Sequence, residues 1–387
     1  MRLLGIVCFL AFVFSNLVYG SEYHILFTGD LHFGHNYQVK REKNGNTNIN
    51  TEFGYEHPFA FLNQFIEKAD YVVANLESPV TDLAQSDFES NKTYLHKEPV
   101  RQISEFFASK KIDAVSLANN HFVDYGVQGM EDSFTFFDSQ SISHFGAGRN
   151  RTEAQDPHII DIEIGKLRYK ISVIGAFEYR KNYDKKYESY AAKEKAGVNR
   201  LSEKNLEAQI KKFRKKNPQG KVILYPHWGN NYEWASVKQK EFASKALELG
   251  TDLIIGHGAH MMQEIGLIDQ KISIFSLGNF VFNTPGRYNQ NEVKPFSQLL
   301  FLSFFEEEDT LRIEARLYPT FCNNRKSNYQ PRPLSEKEFN EEYFPVLENF
   351  TPTLRSFAKL DRDELGYFLR FALDDQWNIV PGDEEER

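Results

Sequence analysis

Cysteine is scarce in this chain, with only Cys8 and Cys322 among 387 residues. Cys8 lies in an apolar N-terminal run, so removal of that run would leave Cys322 alone and exclude an internal disulfide. An exported chain without disulfides relies on the size of its core, and on any metal it binds, for stability. The length of the chain and its 41% hydrophobic content are sufficient for a large core.

Positive charge is also in deficit, because 46 lysine and arginine residues face 54 aspartate and glutamate residues, for a net charge of -8. The sequence shows no basic stripe interleaved with aromatic residues, and the basic cluster at residues 211–216 fits the solvated face of a helix. These features predict that the protein has no nucleic-acid partner.

The N-terminal apolar run is too short for a membrane span of about 20 residues. It follows Arg2, extends over residues 3–14 and leads to the small-residue exit Val18-Tyr19-Gly20. This pattern predicts a secretory signal over residues 1–20, cleaved after Gly20. We therefore expect the chain to be secreted, periplasmic or at the cell surface, either released or anchored by an uncleaved N-terminal segment.

Candidate metal ligands follow five stretches whose apolar, β-prone residues predict buried strands. In chain order, these strand ends carry Asp30 and His32, Glu77, Asn120 and His121, His227, and His257 and His260. If the strands run parallel in one sheet, joined by right-handed crossovers, their carboxyl ends meet at one edge. Taken singly, each residue has a simpler explanation as a hydrogen-bonded core histidine or as a cap of the next turn.

Convergent carboxylate, imidazole and amide side chains favour Mn, Fe or Zn over Ca or a soft copper site. Seven or eight ligands exceed the four that one tetrahedral zinc needs, so the set predicts two divalent ions. In a two-metal site a shared carboxylate bridges the ions, and a water activated between them attacks phosphate esters or amides. The predicted chemistry is metal-dependent hydrolysis.

The segments between these strands predict further helices and strands. We expect helices at residues 98–109, 128–137, 203–213 and 237–249, and hairpins at residues 158–177 and 297–318. Residues 34–54 are polar and predict a loop. The composition changes near residue 324, and residues 336–350 and 363–373 predict the helices of a small helical C-terminal extension over residues 324–387.

Six motifs lie in order between residues 24 and 305: Gly29-Asp30, Asn75-Leu-Glu-Ser-Pro79, Leu117-Ala-Asn-Asn-His-Phe-Val-Asp-Tyr-Gly126, Pro226-His-Trp-Gly229, Ile255-Gly-His-Gly-Ala-His260 and Ser276-Leu-Gly-Asn-Phe280. Together they resemble the CapA family, which takes part in poly-γ-glutamate capsule synthesis and export and is similar to the calcineurin-like metallophosphoesterases. The resemblance implies an α/β fold over residues 22–320, a four-layer α-β-β-α sandwich with metal ligands on loops at the sheet edge.

Carried over by position, the resemblance implies seven metal ligands: Asp30, His32, Glu77, Asn120, His227, His257 and His260. In this scheme Asp30 and His32 bind the first metal and Glu77 bridges to the second. Asn120 and His227 bind the second metal, and His257 and His260 form a closing pair. His121 takes the place of a general acid. Asn119, Asp124 and Tyr232 are further candidates for substrate binding.

Two departures from the metallophosphoesterase pattern concern the metal ligands. Glu77 replaces the usual bridging aspartate and is longer by one methylene. The closing pair is usually His-x-His, which would fall on positions 258 and 260, but position 258 is Gly258 and the nearest histidine is His257. A two-metal, a one-metal and a vestigial site therefore all remain open at this stage.

Three functions are compatible with these features. The first is an exported metal-dependent hydrolase in capsule or other envelope polymer biosynthesis, acting on an anionic polymer or a small phosphate-containing substrate. The second is a non-catalytic envelope scaffold that binds the polymer or a membrane-bound synthase partner. The third is a scavenging phosphodiesterase or nucleotidase.

Overall fold

In a computed structural model, two large β-sheets lie face to face and helices cover the outer side of each. The structure describes residues 22–165, 167–307 and 310–380. The predicted signal segment, residues 1–20, lies outside the described residues. None of the helices in these ranges is both long enough and apolar enough to cross a membrane.

The strands are β1 Glu22–His32, β2 Tyr71–Leu76, β3 Ala114–Ser116, β4 Ser143–Phe145, β5 Ala147–Gly148, β6 His158–Ile164, β7 Leu167–Phe177, β8 Gly197–Val198, β9 Lys221–His227, β10 Leu253–Ile255, β11 Ile265–Ile268, β12 Lys271–Ile274, β13 Asn279–Phe282, β14 Phe296–Glu307, β15 Thr310–Phe321, β16 Arg332–Pro333, β17 Lys359–Asp363 and β18 Gly366–Leu373.

The α-helices are α1 His35–Lys43, α2 Ile49–Phe53, α3 Asn63–Lys68, α4 Val100–Ser109, α5 Gly126–Ser139, α6 Arg151–Ala154, α7 Lys181–Lys185, α8 Glu203–Lys216, α9 Val237–Glu248, α10 Asn324–Ser327, α11 Glu336–Glu338 and α12 Phe344–Phe350. Short 3-10 turns lie at His57–Phe59 and Leu354–Ser356, and a π-helical turn at Phe339–Tyr343 joins α11 to α12.

The first sheet has the strand order β17-β18-β15-β14-β1-β2-β3-β4, with β13 beside β1 and β16 beside β15. Its β1, β2, β3 and β4 run parallel, because helical crossovers return the chain to the same end of the sheet. The remaining half, from β14 to β17, is antiparallel and includes the long hairpin of β14 and β15. The carboxyl ends of β1, β2 and β3 therefore lie along one edge.

The second sheet has the order β11-β12-β10-β9-β7-β6, in which β7, β9, β10 and β12 are parallel. All seven residues of β9 are buried, as expected for a central strand covered on both faces. The edge strand β6 instead alternates, with Ile160, Ile162 and Ile164 buried and the residues between them exposed. The hairpin predicted at residues 158–177 is confirmed by the antiparallel pairing of β6 with β7.

Three apolar layers define the sandwich. Between the sheets, Phe27 of β1 packs against Tyr225 of β9, with ring centroids 6.0 Å apart. Outside the first sheet, the aromatic residues of α3, α4 and α5 form a second cluster around Phe106. Outside the second sheet, α8 and α9 bury Phe213 and Ala243 against β9. The predicted four-layer α-β-β-α sandwich is confirmed.

Two predictions, one on the sheet and one on a loop, are wrong. The five ligand-bearing strands do not share one sheet, because β1, β2 and β3 belong to the first sheet and β9 and β10 to the second. The predicted loop at residues 34–54 contains α1 and α2. These helices lack a clear apolar pattern because polar side chains hold them in place. The buried Gln38 of α1 donates to the carbonyl of Asn283 and accepts from the N–H of Ile49. Asn48 caps α2.

The C-terminal extension is only partly helical. Residues 336–350 form α11, the π-helical turn and α12, as predicted. The helix predicted at residues 363–373 is instead the strand β18, which pairs antiparallel with β15 and β17. Phe368, Leu369 and Phe371 are buried there, and aromatic side chains favour such a strand when a neighbouring edge can pair with it. The extension therefore completes the first sheet.

Candidate metal centre

Strand ends from both sheets meet at one edge of the sandwich. Asp30 lies near the end of β1 and Glu77 directly follows β2, while His227 ends β9 and His257 follows β10. The approach depends on Gly29, because a Cβ atom there would lie 1.7 Å from the carbonyl oxygen of Gly278. The convergence of strand ends inferred from the sequence is present, although it joins two sheets.

The first group of ligand atoms belongs to Asp30, His227 and His257, all buried. The Nδ1 atoms of the two histidines lie 3.1 Å apart. Asp30 Oδ1 lies 3.3 Å from Nδ1 of His257 and 3.7 Å from Nδ1 of His227. Ligands held about 2.0–2.1 Å from a tetrahedral metal are separated by roughly 3.3 Å, so this triangle has the size of a metal site.

The second group surrounds Glu77, whose carboxylate is fully buried. Its Oε1 atom lies 3.8 Å from Nε2 of His121 and 3.9 Å from Nε2 of both His227 and His260. His260 also places Nδ1 3.4 Å from Asp30 Oδ2, which links the two groups. Glu77 therefore occupies the position between the groups that the resemblance implies for a bridging carboxylate.

His96 completes the second group, and the sequence analysis missed it. The ligand atoms of Glu77, His96 and His121 lie within 4.8 Å of one another. The imidazole rings of His96 and His121 stack with centroids 3.5 Å apart and planes 10° apart. His96 follows no predicted strand, so only the fold reveals its position.

Hydrogen bonds to Nδ1 orient three of the histidines. The Nδ1 atom of His121 lies 2.6 Å from Asp124 Oδ2. The Nδ1 atom of His96 lies 3.0 Å from the carbonyl oxygen of Glu77, and that of His260 lies 3.0 Å from Asn279 Oδ1. Each of these oxygen partners accepts the Nδ1 proton, which leaves the lone pair on Nε2. Oxygen partners of this kind fix the tautomer and orientation of metal-binding histidines.

A buried ion pair supports His121 from behind. The carboxylate of Asp124 pairs with the ammonium of Lys92, and both side chains are almost fully buried. Lys92 Nζ also donates to the carbonyl of Asn120 and lies 5.2 Å from the ring centroids of Tyr183 and Tyr187. Asp124 thus holds His121 in place through contacts that keep its own negative charge compensated.

The carboxylates of the centre have opposed pKa shifts. Burial raises the pKa of Glu77 well above its usual range, and the neighbouring charge of His260 only partly opposes this. Burial alone would also raise the pKa of Asp30, but hydrogen bonds from His257 and His260 lower it below its usual range. Asp30 is therefore ionised at neutral pH, whereas burial favours the protonated form of Glu77 and a bound cation would favour its carboxylate.

The pKa values of His96, His121 and His227 favour neutral rings, whereas that of His260 favours the charged ring. Burial lowers the pKa of His96, His121 and His227 well below the usual value for histidine. Burial would lower the pKa of His260 as well, but the charge of Glu77 and a hydrogen bond to Asp30 raise it to about 9. Neutral imidazole is the form that binds metal ions.

The orphaned polar atoms of the centre fit a bound cation. Both carboxylate oxygens of Glu77, and Nε2 of His257, are buried without a hydrogen-bond partner in the described part of the chain. A buried carboxylate with no partner costs several kcal/mol unless a positive charge compensates it. The donor set of imidazole nitrogens and carboxylate oxygens is the one that divalent Mn, Fe or Zn prefers.

The histidine of a His-x-His pair would be strained at position 258. Its backbone has φ +103°, and a Cβ atom there would lie 3.0 Å from the ring of His227. Its N–H donates to Asp30 Oδ2 at 3.1 Å. His257 and His260 both reach the Asp30 carboxylate from either side of this glycine. His260 does so with a left-handed backbone at φ 57°. The longer spacing therefore still brings both histidines to the centre.

Two further predicted ligands, His32 and Asn120, have different surroundings. His32 Nδ1 faces Glu98 Oε1 at 2.7 Å, and its ring stacks on the outer face of His96 with centroids 3.9 Å apart. Asn120 points its amide toward the Tyr183 hydroxyl at 3.5 Å. His32 joins no ligand group among the described residues. The Oδ1 atom of Asn120 is buried there without a hydrogen-bond partner, so Asn120 stays a predicted ligand.

The three predicted substrate-binding residues lie near the centre in different roles. Asn119 is fully buried, and its Oδ1 accepts from the backbone N–H groups of His121 and Phe122, which shapes the turn. Asp124 orients His121, as described above. Tyr232 places its ring 6.0 Å from that of His260, beneath the guanidinium of Arg287. Of the three, Tyr232 lies beside the ligands without a hydrogen bond to them.

The four-layer sandwich carries a buried carboxylate–histidine centre at its strand ends, which is the arrangement implied by the resemblance to CapA. The family model described as bacterial capsule synthesis protein PGA_cap matches residues 24–284, which include every member of both ligand groups. The chain belongs to this family. The predicted resemblance to CapA is thereby confirmed.

Two relatives from Bacillus are named CapA. The chain is 25% identical over 241 residues to the capsule biosynthesis protein CapA of Bacillus anthracis, covering 61% of this chain and 56% of that protein. It is 26% identical over 262 residues to the PGA biosynthesis protein CapA of Bacillus subtilis, covering 66% and 62% respectively. The matched region therefore spans less than two thirds of either relative.

Among solved structures, a novel phosphatase from Mycoplasma pneumoniae aligns over 84% of this chain and 99% of its own, with a TM-score of 0.36 and 11% identity. Similarity at this level does not bear on function.

Proposed function

We propose that this protein is an exported metal-dependent hydrolase acting in the biosynthesis of a capsule or other envelope polymer. The observation that carries the proposal is the buried Glu77 carboxylate, unpartnered and surrounded by imidazole nitrogens from both sheets. Family membership supports the polymer context, since two relatives are named for capsule and PGA biosynthesis. Export is proposed from the signal pattern and the family.

Two sets of residues would hold divalent ions. Asp30, His227 and His257 would hold one, and Glu77, His96 and His121 the other, with His260 between them. Ions in such a centre supply Lewis acidity toward a carbonyl or phosphoryl oxygen. Mn, Fe or Zn suits these donors.

The residues of this chain supply orientation and exclusion of water. Asp124, the Glu77 carbonyl and Asn279 fix the rings of His121, His96 and His260, so that the nitrogens need not reorganise when substrate arrives. Phe282 packs its ring 4.7 Å from that of His260 and closes one wall of the centre. The enclosed site strengthens electrostatic interactions with a substrate oxygen.

Hydrolysis by the purified protein tests the proposal. The protein would be loaded in turn with Mn, Fe or Zn and assayed on poly-γ-glutamate, on a phosphodiester and on nucleotides. Cleavage of the polymer by wild type, lost in Glu77→Gln and retained in the surface variant Lys238→Glu, is the expected result. Turnover of nucleotides alone would favour the scavenging function, and no turnover of any substrate by metal-loaded wild type would overturn the enzyme proposal.

A non-catalytic scaffold is the second candidate, favoured by the pairing of His32 with Glu98 instead of membership of a ligand group. It predicts that His121→Ala preserves capsule formation in cells, whereas the hydrolase predicts its loss. The partner proposed for the scaffold is a membrane-bound synthase. Crosslinking in intact cells tests for that partner.

A further inference from the structure

A basic cleft lies between the α1–α2 segment and α10, and none of the functions discussed so far uses it. Its volume is about 970 Å³, and its charged side chains include Lys40, Arg41, Arg325 and Lys326, which define the basic cleft. Glu52 is the acidic residue on its lining. α10 lies beyond residue 284, so the family match does not include one wall of the cleft.

The cations of the basic cleft are not neutralised by the protein. In the ranges that the structure describes, none of the four makes an ion pair with a carboxylate. Arg41 donates instead to neutral acceptors, the carbonyl of Thr47 at 2.9 Å and the hydroxyl of Tyr329 at 3.1 Å. Because the whole chain carries a net charge of -8, this concentration of unpaired positive charge is local. It attracts anions toward one face.

The walls of the basic cleft are held in place. Asn328 and Tyr329 both adopt left-handed backbone, at φ 51° and 60°, a strained conformation for residues other than glycine. The turn brings the Tyr329 hydroxyl to Arg41, and the Asn328 carbonyl lies 2.8 Å from Nε2 of His57. The charged side chains therefore project from a frame that is fixed before any ligand binds.

The basic cleft adjoins the metal centre along two segments. Asn324 at its base donates to the carbonyl of Phe282, whose ring lies 4.7 Å from His260. Tyr94, 63% exposed on the lining, precedes His96 by two residues. The lining of the basic cleft is thus connected through Phe282 to His260 and along the chain to His96.

We propose that the basic cleft binds an extended polycarboxylate chain and presents it to the metal centre. The charges of the basic cleft indicate a polyanionic ligand. The choice of poly-γ-glutamate as that ligand rests on the proposed function. Arginine binds carboxylates through paired hydrogen bonds and lysine as a point charge, and both suit a series of separate carboxylates. A single-stranded nucleic acid needs exposed rings that are free to stack. On the lining, Tyr329 is buried, and Phe53, 49% exposed, already stacks on His57 with ring centroids 4.7 Å apart, whereas Tyr94 is 63% exposed.

Binding of labelled poly-γ-glutamate to the full chain, measured by fluorescence anisotropy at two salt concentrations, tests the proposal. The double variant Arg325→Glu/Lys326→Glu should weaken binding by about tenfold or more, and added salt should reduce the difference. The matched control Lys204→Glu/Lys238→Glu makes the same charge change at exposed positions in the first turns of α8 and α9, and should stay within about twofold of wild type.

Metal content and competing ligands separate the outcomes. Both double variants should retain wild-type metal content, since they leave the centre intact. Polymer binding by a chain that holds no metal would support the cleft and overturn the proposed hydrolase, whereas a metal-loaded chain that binds no polymer would overturn the cleft alone. Equal losses in both double variants, or tighter binding of polyphosphate or oligo(dT) than of poly-γ-glutamate, would also overturn it.

Discussion

The imidazole rings of His96 and His121 lie nearly parallel, with centroids 3.5 Å apart, and their ligand nitrogens share the neighbourhood of the Glu77 carboxylate. Two stacked rings in van der Waals contact cannot both be charged without repulsion. Burial also lowers the pKa of each. This stack is therefore a pair of neutral nitrogen donors, held apart from solvent.

The first prediction concerns His96 as a ligand. His96→Ala should lower the affinity for the ion held by Glu77, His96 and His121 by at least about tenfold, because one of the three residues of that group is lost. Metal titration followed by elemental analysis of dialysed protein measures this. His144→Ala, which truncates a half-buried histidine of β4 outside the centre, is the control. Identical metal binding in wild type and His96→Ala would show that His96 only packs.

The second prediction concerns the support of His121. Asp124→Asn leaves the buried ammonium of Lys92 without its carboxylate and should destabilise the fold by about 3–5 kcal/mol. The double variant Lys92→Met/Asp124→Asn should recover much of this loss, since no charge is then left buried. Urea unfolding of the metal-free proteins measures both values. Equal stability of the single and double variants would contradict the assignment.

The third prediction concerns Gly258. Gly258→Ala introduces a side chain at φ +103° and presses it against the His227 ring, so it should both destabilise the fold and reduce metal content. Gly45→Ala has a comparable positive φ of 73° but no atom within 4 Å of the new Cβ. This control should therefore show the backbone cost without any effect on metal. A metal loss shared by both variants would exclude the contact with His227 as the cause.

The fourth prediction is a pH dependence of stability set by His158 of β6. Burial lowers its pKa from 6.5 to about 4, and its Nε2 lies 2.7 Å from the Tyr71 hydroxyl. Between these values the unfolded chain binds more protons than the folded one, so stability falls as pH drops from 6.5 toward 4, by at most about 3 kcal/mol. Above pH 6.5 the effect vanishes.

His158→Gln tests this dependence, because glutamine keeps a hydrogen-bonding group but does not titrate. The free energy of unfolding from urea titrations at several pH values should fall less steeply in the variant between pH 6.5 and 4. Parallel curves for the two proteins over that window would show that His158 does not set the slope.

Parts of the fold were predictable because their signals are local. The hairpin of β6 and β7 was predicted at residues 158–177, and the continuous apolar run of β9 placed His227 at a strand end. The division of the strands between two sheets was not predictable from such signals, since it depends on which apolar faces pack together after the chain has folded.

The missed features share the same cause. His96 follows no strand and comes to the centre only because the chain after Glu77 folds back over His121. The segment at residues 363–373 has apolar spacing that suits a helix or a strand, and pairing with β15 decides in favour of the strand. Conversely, His32 fits the ligand pattern in sequence but turns toward Glu98.

Metal content per chain tests the central claim most directly. Purified wild type and Glu77→Gln would each be incubated with Mn, Fe or Zn, dialysed and analysed for bound metal, with Lys238→Glu as the surface control. The two ligand groups predict about two ions per chain in wild type and in the control, and a loss of bound metal in Glu77→Gln. Wild type that holds no metal, or Glu77→Gln that holds as much as wild type, would contradict the account.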